Sequence, residues 1–220
     1  MFTDILHQTL CFFDTHSGAV TAVATVIIAL FTVALSMVTG RQAEITKEAL
    51  VNVERAFVFV KIIHATAVKD PHSRKITQWL FSAEWFNSGS TPTKDMRTCT
   101  NMMKVEGDIG ILDQYDFMDM PGLEQSPTIV GPQSSILTGG VFITLDDALH
   151  MVAGNQRQFI YGWADYNDVF AGTPRHRTEF CNEIMFLGDP RREDCKIGTP
   201  LFKRFNGADG ECFRKPGNAL

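Results

Sequence analysis

The sequence predicts a mainly β protein in which an N-terminal transmembrane helix and a juxtamembrane helix precede an antiparallel β-sandwich. Two observations lead to this prediction. Residues 18–39 form an uncharged apolar run, and residues 56–188 contain several short segments of β-branched and aromatic residues separated by turn signals. The second region shows neither an alternation of strands with long helices nor an internal repeat, which favours antiparallel sheets.

The composition is that of a globular protein with one apolar segment. Of the 220 residues, 45% are hydrophobic and 20% are charged, which excludes a disordered chain and a multi-span transporter. The formal net charge is −5. Binding to nucleic acid depends on a surplus of Lys and Arg that neutralises phosphates, so we expect no nucleic-acid partner.

The apolar run at 18–39 is predicted to cross a membrane. A helix of this length spans about 33 Å, enough for the hydrocarbon core of a bilayer. The alternatives are a buried core helix, which rarely runs this long without a charge, and a cleaved signal peptide. The missing basic region before the run disfavours the signal peptide. The lipid bilayer is therefore the first predicted partner.

Charges beside the apolar run predict its orientation. Residues 1–17, the predicted N-terminal tail, contain no Lys or Arg, whereas Arg41, Lys47 and Arg55 follow the run. The positive-inside rule places the C-terminal part in the cytoplasm. We expect a single-pass protein of the inner or plasma membrane.

Residues 40–55 are predicted to continue the helix beyond the membrane, because good helix formers follow Gly40 without a proline. Thr46, Leu50, Val53 and Phe57 recur at heptad-like spacing. This stripe indicates either a spacer packed on the next domain or a short stalk through which the chain forms a homo-oligomer or meets a protein partner.

The strands of the predicted domain follow in order. The segment 76–87 alternates most clearly, with Trp79, Phe81, Ala83 and Trp85 on one face. A short helix at 146–154 is expected to begin with Asp146 as its N-cap. The other predicted strands are 56–68, 95–105, 134–145, 157–166 and 175–187.

Acidic and basic residues are segregated along the chain. Residues 106–147 hold eight acids and no Lys or Arg, which indicates a solvated loop or short helix or, as an alternative, a cation site. Residues 189–220 are basic and Gly-rich and are predicted to form a loop or a loosely packed tail. Their basic cluster either contacts anionic headgroups or neutralises the acidic segment: Arg191, Arg192, Lys196, Lys203 and Arg204.

The five cysteines do not have the spacing of a zinc or haem site. In a cytoplasmic domain they are expected to be buried thiols. If the domain is exported instead, the pairs Cys181–Cys195 and Cys195–Cys212 become the candidate disulfides.

Two stretches resemble known bacterial proteins. WFNSGSTPTKDM, from Trp85, is similar to the N-x-G-x-T-P-A turn of immunoglobulin-like sandwich domains. YGWADYNDVFAGTPRHRTEFC, from Tyr161, resembles a stretch of uncharacterised single-span membrane proteins, in which R-A-[FYW]-V opens the first strand as Arg55-Ala56-Phe57-Val58 does here. The pattern has a small residue at Thr93 and lacks Ala171. The resemblance implies an immunoglobulin-like sandwich and carries no activity.

Residues with chemical potential concentrate in one region. Asp165, Tyr166, Asp168, His176 and Glu179 could bind a metal or perform acid–base catalysis, or they could cap and anchor the connection between two strands. No nucleotide-binding, metalloprotease or serine-hydrolase motif is present. We therefore predict no cofactor and no metal, and the candidate catalytic residues are Asp165, Asp168 and His176.

Three functions remain open from the sequence. The preferred hypothesis is a membrane-anchored sandwich that binds another protein and has no catalytic role. The alternative is a membrane-tethered hydrolase or metal-dependent enzyme that uses Asp165, Asp168 and His176. The third is a subunit or sensor of a larger membrane complex, which meets another helix through Leu50 and Val53.

Overall fold

A computed structural model describes residues 17–106, 115–118 and 126–215 of the chain. The chain divides into two units, Met1–Asn52 and Val53–Leu220. The predicted N-terminal tail lies outside the described residues except for Ser17. The same holds for Asp108, Asp113 and Asp119 of the acidic segment.

A single helix, α1, covers Ser17–Glu54. It contains the apolar run predicted at 18–39 and the continuation predicted at 40–55, except for Arg55. Its part from Gly18 to Val51 is long and apolar enough to span a membrane and is not buried by the rest of the chain. Threonine hydroxyls within it donate to carbonyls one turn earlier, so these polar groups are satisfied inside the helix. Phe57 lies beyond the end of α1, and the predicted heptad stripe therefore stops at Val53.

The predicted mainly β, antiparallel architecture is confirmed. The long strands are β1 (Val58–Lys69), β2 (Ile76–Asn87), β3 (Lys94–Glu106), β4 (Ser134–Thr144), β5 (Gln156–Asn167) and β6 (His176–Leu187). The shorter elements are α2 (Leu145–Val152), β7 (Lys196–Gly198), β8 (Gly207–Ala208) and a 3₁₀ helix (Asp209–Glu211).

The strands form two antiparallel sheets. The first has the order β1-β2-β4, and the second has the order β3-β5-β6-β7 with β8 paired to β6. Consecutive strands therefore belong to different sheets at three places, β2 to β3, β3 to β4 and β4 to β5. Such crossings place inward-facing side chains of both sheets in one core.

Aromatic side chains join the two sheets. Trp85 of β2 lies edge-on to Phe180 of β6 at 5.4 Å between ring centroids, and Trp79 meets Phe186 in the same way at 5.8 Å. Trp85 and Phe81 are fully buried. The apolar side chains of the alternating segment 76–87 thus form part of the inward face of the first sheet.

The second sheet is also buried on its outer face. Phe159 and Tyr161 of β5 belong there to a second apolar cluster, with Phe117 and Phe205. Phe117 stacks on Phe205 with ring centroids 4.5 Å apart, and Phe202 lies edge-on to Phe159 at 5.0 Å. Residues 115–118 and the segment after β6 thus cover this face.

The segment after Asp189 therefore differs from the loosely packed tail that we expected. It contains β7, β8 and the 3₁₀ helix, and Phe205 within it is only 5% exposed. The physical reason is the apolar outer face of β5 and β6, which gains a cover when the aromatic residues of this segment pack on it.

The N-cap of the short helix α2 lies two positions earlier than predicted. The N-cap is Thr144, whose hydroxyl accepts a hydrogen bond from the backbone N–H of Asp147, so the expected cap at Asp146 is wrong. Asp146 and Asp147 instead lie in the first turn, where their charges favour the helix dipole. Gly154 follows the helix with a φ of 76°, as the sequence predicts for a residue just past its end.

Two members of the basic cluster form local pairs. Arg192 forms a bidentate pair with Asp194 at 2.9 Å, and Arg191 lies 3.8 Å from Asp189. Asp116 of the acidic segment does bind a late basic residue, but that residue is Arg214.

The four described cysteines, Cys99, Cys181, Cys195 and Cys212, are free thiols. Neither of the two candidate disulfides is therefore formed. Burial raises the pKa of the Cys181 thiol to about 12, and burial together with the Glu179 charge raises that of Cys212 to about 12.

Because Phe205 is buried against the outer face of the second sheet, we expect Phe205→Ala to lower the stability of the β domain strongly. We expect the free energy of unfolding to fall by about 3–5 kcal/mol, because the stacked ring leaves a cavity beside Phe117. Denaturant unfolding of the full chain in detergent, followed by tryptophan fluorescence, measures this change because all three tryptophans lie in the β domain. Leu201→Ala is the control, since Leu201 is 70% exposed. Equal losses in both variants would contradict a packed C-terminal segment.

Candidate functional site

The three candidate catalytic residues are divided between two faces of the second sheet. In the pairing of β5 with β6, Asp165 lies opposite Arg177, and Tyr166 lies opposite His176. Successive residues of a strand point to opposite faces. Asp165 and His176 are therefore on different faces, whereas Asp168, just past the end of β5, does reach His176.

His176 is held between two carboxylates. Its Nε2 lies 3.3 Å from Oδ2 of Asp168, and its Nδ1 lies 3.0 Å from Oδ1 of Asp209. Asp168 is itself fixed, because its Oδ1 accepts hydrogen bonds from the backbone N–H of Phe170 and the hydroxyl of Thr173. The side chains of His176 and Asp168 are 5% and 0% exposed.

Arg55 completes this group. Its Nη1 donates to Oδ2 of Asp209 at 3.2 Å and lies 3.3 Å from Nδ1 of His176. Arg55 is the first residue after α1, and Asp209 begins the 3₁₀ helix. We call Arg55, Asp168, His176 and Asp209 the junction network, because they surround the position where α1 ends and β1 begins.

The electrostatics of the junction network favour a protonated histidine. The hydrogen bond to Asp209 raises the pKa of His176 and outweighs the opposing effects of burial and of Arg55. Burial alone would raise the pKa of Asp209, but hydrogen bonding and the charges of His176 and Arg55 hold it below its usual value. A cationic His176 donates one hydrogen bond to each carboxylate and is fully satisfied.

Backbone contacts surround the junction network. The Tyr166 hydroxyl accepts a hydrogen bond from the N–H of Val58 at the start of β1, at 3.2 Å. The Thr91 hydroxyl donates to the carbonyl of Glu54, the last residue of α1, at 2.9 Å. Both contacts fix the backbone on either side of Arg55.

Asn87 provides the densest set of these contacts. Its Oδ1 accepts hydrogen bonds from the N–H groups of Phe57 and Gly89, and its Nδ2 donates to the carbonyl of Thr91 at 2.8 Å. Asn87 is completely buried. The turn after β2 and the start of β1 are therefore held by one side chain.

The resemblance motifs of the sequence converge here. Arg55 belongs to the R-A-F-V start, Asn87 and Gly89 to the N-x-G turn, and Asp168 and His176 to the stretch that begins at Tyr161. Their common location accounts for these residue types through hydrogen bonding and close packing.

The chemistry open to the junction network is limited. Both ring nitrogens of His176 already face a carboxylate and the side chain is 5% exposed, so neither nitrogen is free to exchange a proton with a substrate in this arrangement. Within residues 17–106, 115–118 and 126–215, no group of three or more His, Cys, Asp or Glu side chains could hold a metal ion. The arrangement is suited to fixing backbone segments.

Asp165 and Glu179 form a separate buried ion cluster with Arg177. Arg177 donates from Nη1 to Asp165 at 3.1 Å and from Nε to Glu179 at 2.7 Å, and all three side chains are at most 5% exposed. Glu179 also accepts hydrogen bonds from the backbone N–H groups of Phe213 and Arg214. This cluster holds the C-terminal segment against the outer face of the sheet.

Sequence reasoning found Asp168 and His176 and missed Asp209. The first two residues flank one short connection between neighbouring strands, so their proximity follows from the hairpin. Asp209 is 33 residues from His176. Its segment was expected to be loosely packed, and no local pattern signals the contact.

The comparisons with known proteins do not extend the interpretation of this site. No protein-family model, curated protein or solved structure matches the chain.

The raised pKa of His176 predicts a pH-dependent contribution to stability. The contribution is fully present below the ordinary histidine pKa of about 6.5 and is lost as the pH rises through the raised folded-state value. We expect His176→Gln to lower the free energy of unfolding by about 2 kcal/mol near pH 5.5 and by clearly less near pH 9. Denaturant unfolding at several pH values measures the difference between the two proteins.

His72→Gln is the matched control, because only the backbone of His72 is hydrogen bonded, in an exposed turn. A stability difference for His176→Gln that stays constant or grows with pH would show that His176 is neutral in the fold.

Gly89 has a steric role beside the junction network. A Cβ at this position would lie 2.1 Å from the carbonyl oxygen of Arg55 and 2.7 Å from the Cα of Ala56. We expect Gly89→Ala to cost about 1–3 kcal/mol of stability, because the backbone at the start of β1 has to move. Gly139→Ala in β4 meets no atom within 4 Å and should change stability by less than about 0.5 kcal/mol. Similar denaturation midpoints for the two variants would contradict the close contact.

Proposed function

We propose that this chain is a single-pass membrane protein whose β domain binds another protein through the outer face of the first sheet. The observation that carries the proposal is a difference between the two sheets. The outer face of the second sheet is covered by the chain's own aromatic side chains, and the corresponding face of the first sheet keeps large apolar side chains in solvent.

The exposed residues of this face lie close together in the strand register. Ile62 of β1 and Leu137 of β4 both pair with Glu84 of β2, and Phe142 of β4 pairs with Leu80. Ile62, Leu137 and Phe142 are 48%, 59% and 54% exposed. We call this the open face. Contiguous exposed apolar side chains on a sheet are typical of interaction surfaces.

The polar residues of the open face neutralise one another. Glu84 accepts a hydrogen bond from His64 at 2.6 Å and lies 3.7 Å from Lys61. Lys61 also lies over the ring of Phe86 at 5.1 Å from its centroid. The open face therefore offers apolar area with little net charge, which fits a partner whose surface is also mainly apolar.

An immunoglobulin-like sandwich is the fold that we propose for the β domain. The sheets β1-β2-β4 and β3-β5-β6 have the strand distribution A-B-E and C-F-G of that fold, in chain order. Domains of this type present sheet faces and edges to partners.

Anchoring in a membrane is supported by the apolar length of α1. Arg41 and Lys47 follow the apolar run, whereas the first 17 residues hold no Lys or Arg. Together with the free cysteines, this distribution supports a cytoplasmic location of the β domain.

Self-association through α1 is a further proposed route to a partner. Ile45 and Leu50 of the helix are 65% and 52% exposed. Such side chains could pack against a second copy of the helix or against a helix of another membrane protein.

The alternative of a membrane-tethered hydrolase or metal-dependent enzyme receives no support from the site geometry. Asp165 is paired with Arg177 on the face opposite to His176. His176 contacts the carboxylates of Asp168 and Asp209, and these contacts occupy both of its ring nitrogens.

A photo-crosslinking amino acid at Leu137 tests the proposal in native membranes. We expect a crosslinked protein product that decreases at least about fivefold when Phe142→Asp is added, since a buried charge opposes apolar contact. The control position is Asn155, an exposed residue in the loop after α2. Equal products from both positions, or products that consist of lipid only, would contradict binding at the open face.

A further inference from the structure

A cavity lies at the end of the β domain where β1 turns into β2. It has a volume of about 760 Å³ and is lined by the turn between the two strands, by the start of α2 and by the loop that follows β6. This volume is within the range of sites that hold small organic ligands. The cavity is at the opposite end of β1 from the junction network, because Lys69 lines it and Val58 begins the strand.

Its lining is strongly basic. Two of the cations are paired with carboxylates of the rim, namely Lys69 with Glu193 and Arg192 with Asp194. The charged side chains that line the cavity are Lys69, Arg74, Lys75, Arg191, Arg192, Glu193 and Asp194. Cations thus exceed carboxylates by three.

Three of these cations are available to a ligand. No described carboxylate lies within 4.0 Å of Arg74 or Lys75, and Arg191 has only a long contact of 3.8 Å with Asp189. All three residues are exposed. Such an excess of positive charge inside a concave surface attracts anions.

The turn that carries Arg74 and Lys75 is held in place by Asp70. Its Oδ1 accepts hydrogen bonds from the N–H groups of His72 and Ser73, at 3.0 and 2.6 Å. The bond from Ser73 lowers the pKa of Asp70, which therefore stays ionised. Arg74 has a φ of 58°, a left-handed conformation that the turn maintains.

The opposite rim is equally fixed. The indole N–H of Trp79 donates to the carbonyl of Pro190 at 3.0 Å in the buried interior. Asp189 accepts a hydrogen bond from the N–H of Arg191 at 3.0 Å. Both rims thus have defined backbones, and a ligand would have to order only side chains.

We propose that this cavity binds a phosphate-bearing anion through Arg74, Lys75 and Arg191. The planar guanidinium groups can donate two parallel hydrogen bonds to phosphate oxygens, and the ammonium of Lys75 adds a point charge. A phosphate that carries two negative charges matches the excess of cations better than a single carboxylate does. The ligand is either a soluble phosphate ester or the phosphorylated headgroup of a lipid.

Titration of the full chain with inorganic pyrophosphate tests the site. The protein is held in phosphatidylcholine nanodiscs at physiological salt, and binding is followed by calorimetry. We expect saturable binding that weakens at least about tenfold in the double variant Arg74→Asn with Lys75→Gln, because two charge-assisted contacts are lost. Asn is chosen at position 74 because it tolerates a positive φ.

The control is Lys61→Gln with Lys94→Gln, which removes the same charge from exposed positions outside the cavity. We expect less than about a twofold change in this variant. An equal loss in both variants would overturn the proposal, since it would show attraction by overall charge.

Vesicles distinguish the two sources of the phosphate. Phosphatidylcholine vesicles with a few per cent of a phosphatidylinositol bisphosphate are compared with phosphatidylserine vesicles of the same surface charge. Preferential binding to the first kind that requires Arg74 and Lys75 assigns the site to a lipid headgroup, and binding of pyrophosphate alone assigns it to a soluble ester. Equal binding to both kinds of vesicle excludes a lipid headgroup as the ligand. Saturable binding neither to pyrophosphate nor to the phosphatidylinositol bisphosphate vesicles would refute a phosphate site.

Discussion

The apolar character of β5 on both faces is the constraint on which the rest of the β domain depends. Ile160 and Ala164 face the core between the sheets, and Phe159 and Tyr161 face the opposite way. A strand buried on both sides needs two covers. The first sheet supplies one, and the segment after β6 supplies the other. The buried ion cluster around Arg177 is part of the second cover, because Glu179 receives the backbone N–H groups of that segment.

The junction network stabilises the short segment in which the chain changes from helix to strand. Helix α1 ends at Glu54 and β1 begins at Val58. Peptide groups between them lack regular partners, so side chains have to provide hydrogen bonds. Asn87, Thr91 and Tyr166 do so for the backbone, and the charged residues hold Arg55. The residue types that look catalytic in the sequence are thus the types that a dense polar junction also needs.

Local sequence patterns could predict the strands and one face of each sheet. The segment 76–87 has one apolar face. Its alternation of apolar and polar residues therefore indicates both the bounds of the strand and the side chains that face the core. In β5 the two faces are both apolar, and local sequence cannot identify the segment that covers the second one.

The candidate site likewise combines contacts that are local in sequence with contacts that are not. Asp168 and His176 are joined by a short connection, whereas the contacts of Asp209 and Phe205 depend on the final folding of a distant segment. Proximity in sequence groups Asp165 with His176, although the two-residue period of a strand places the two side chains on opposite faces of the sheet.

The position of the second cover in the chain has a consequence for biosynthesis. Translation proceeds from the N-terminus, so the apolar α1 emerges first and β1 to β6 follow, while Phe205 and Phe213 are made later. Until those residues leave the ribosome, the outer face of β5 and β6 is without part of its cover. Synthesis of the apolar helix therefore precedes completion of the β domain, and the nascent chain presents an apolar surface that molecular chaperones can recognise.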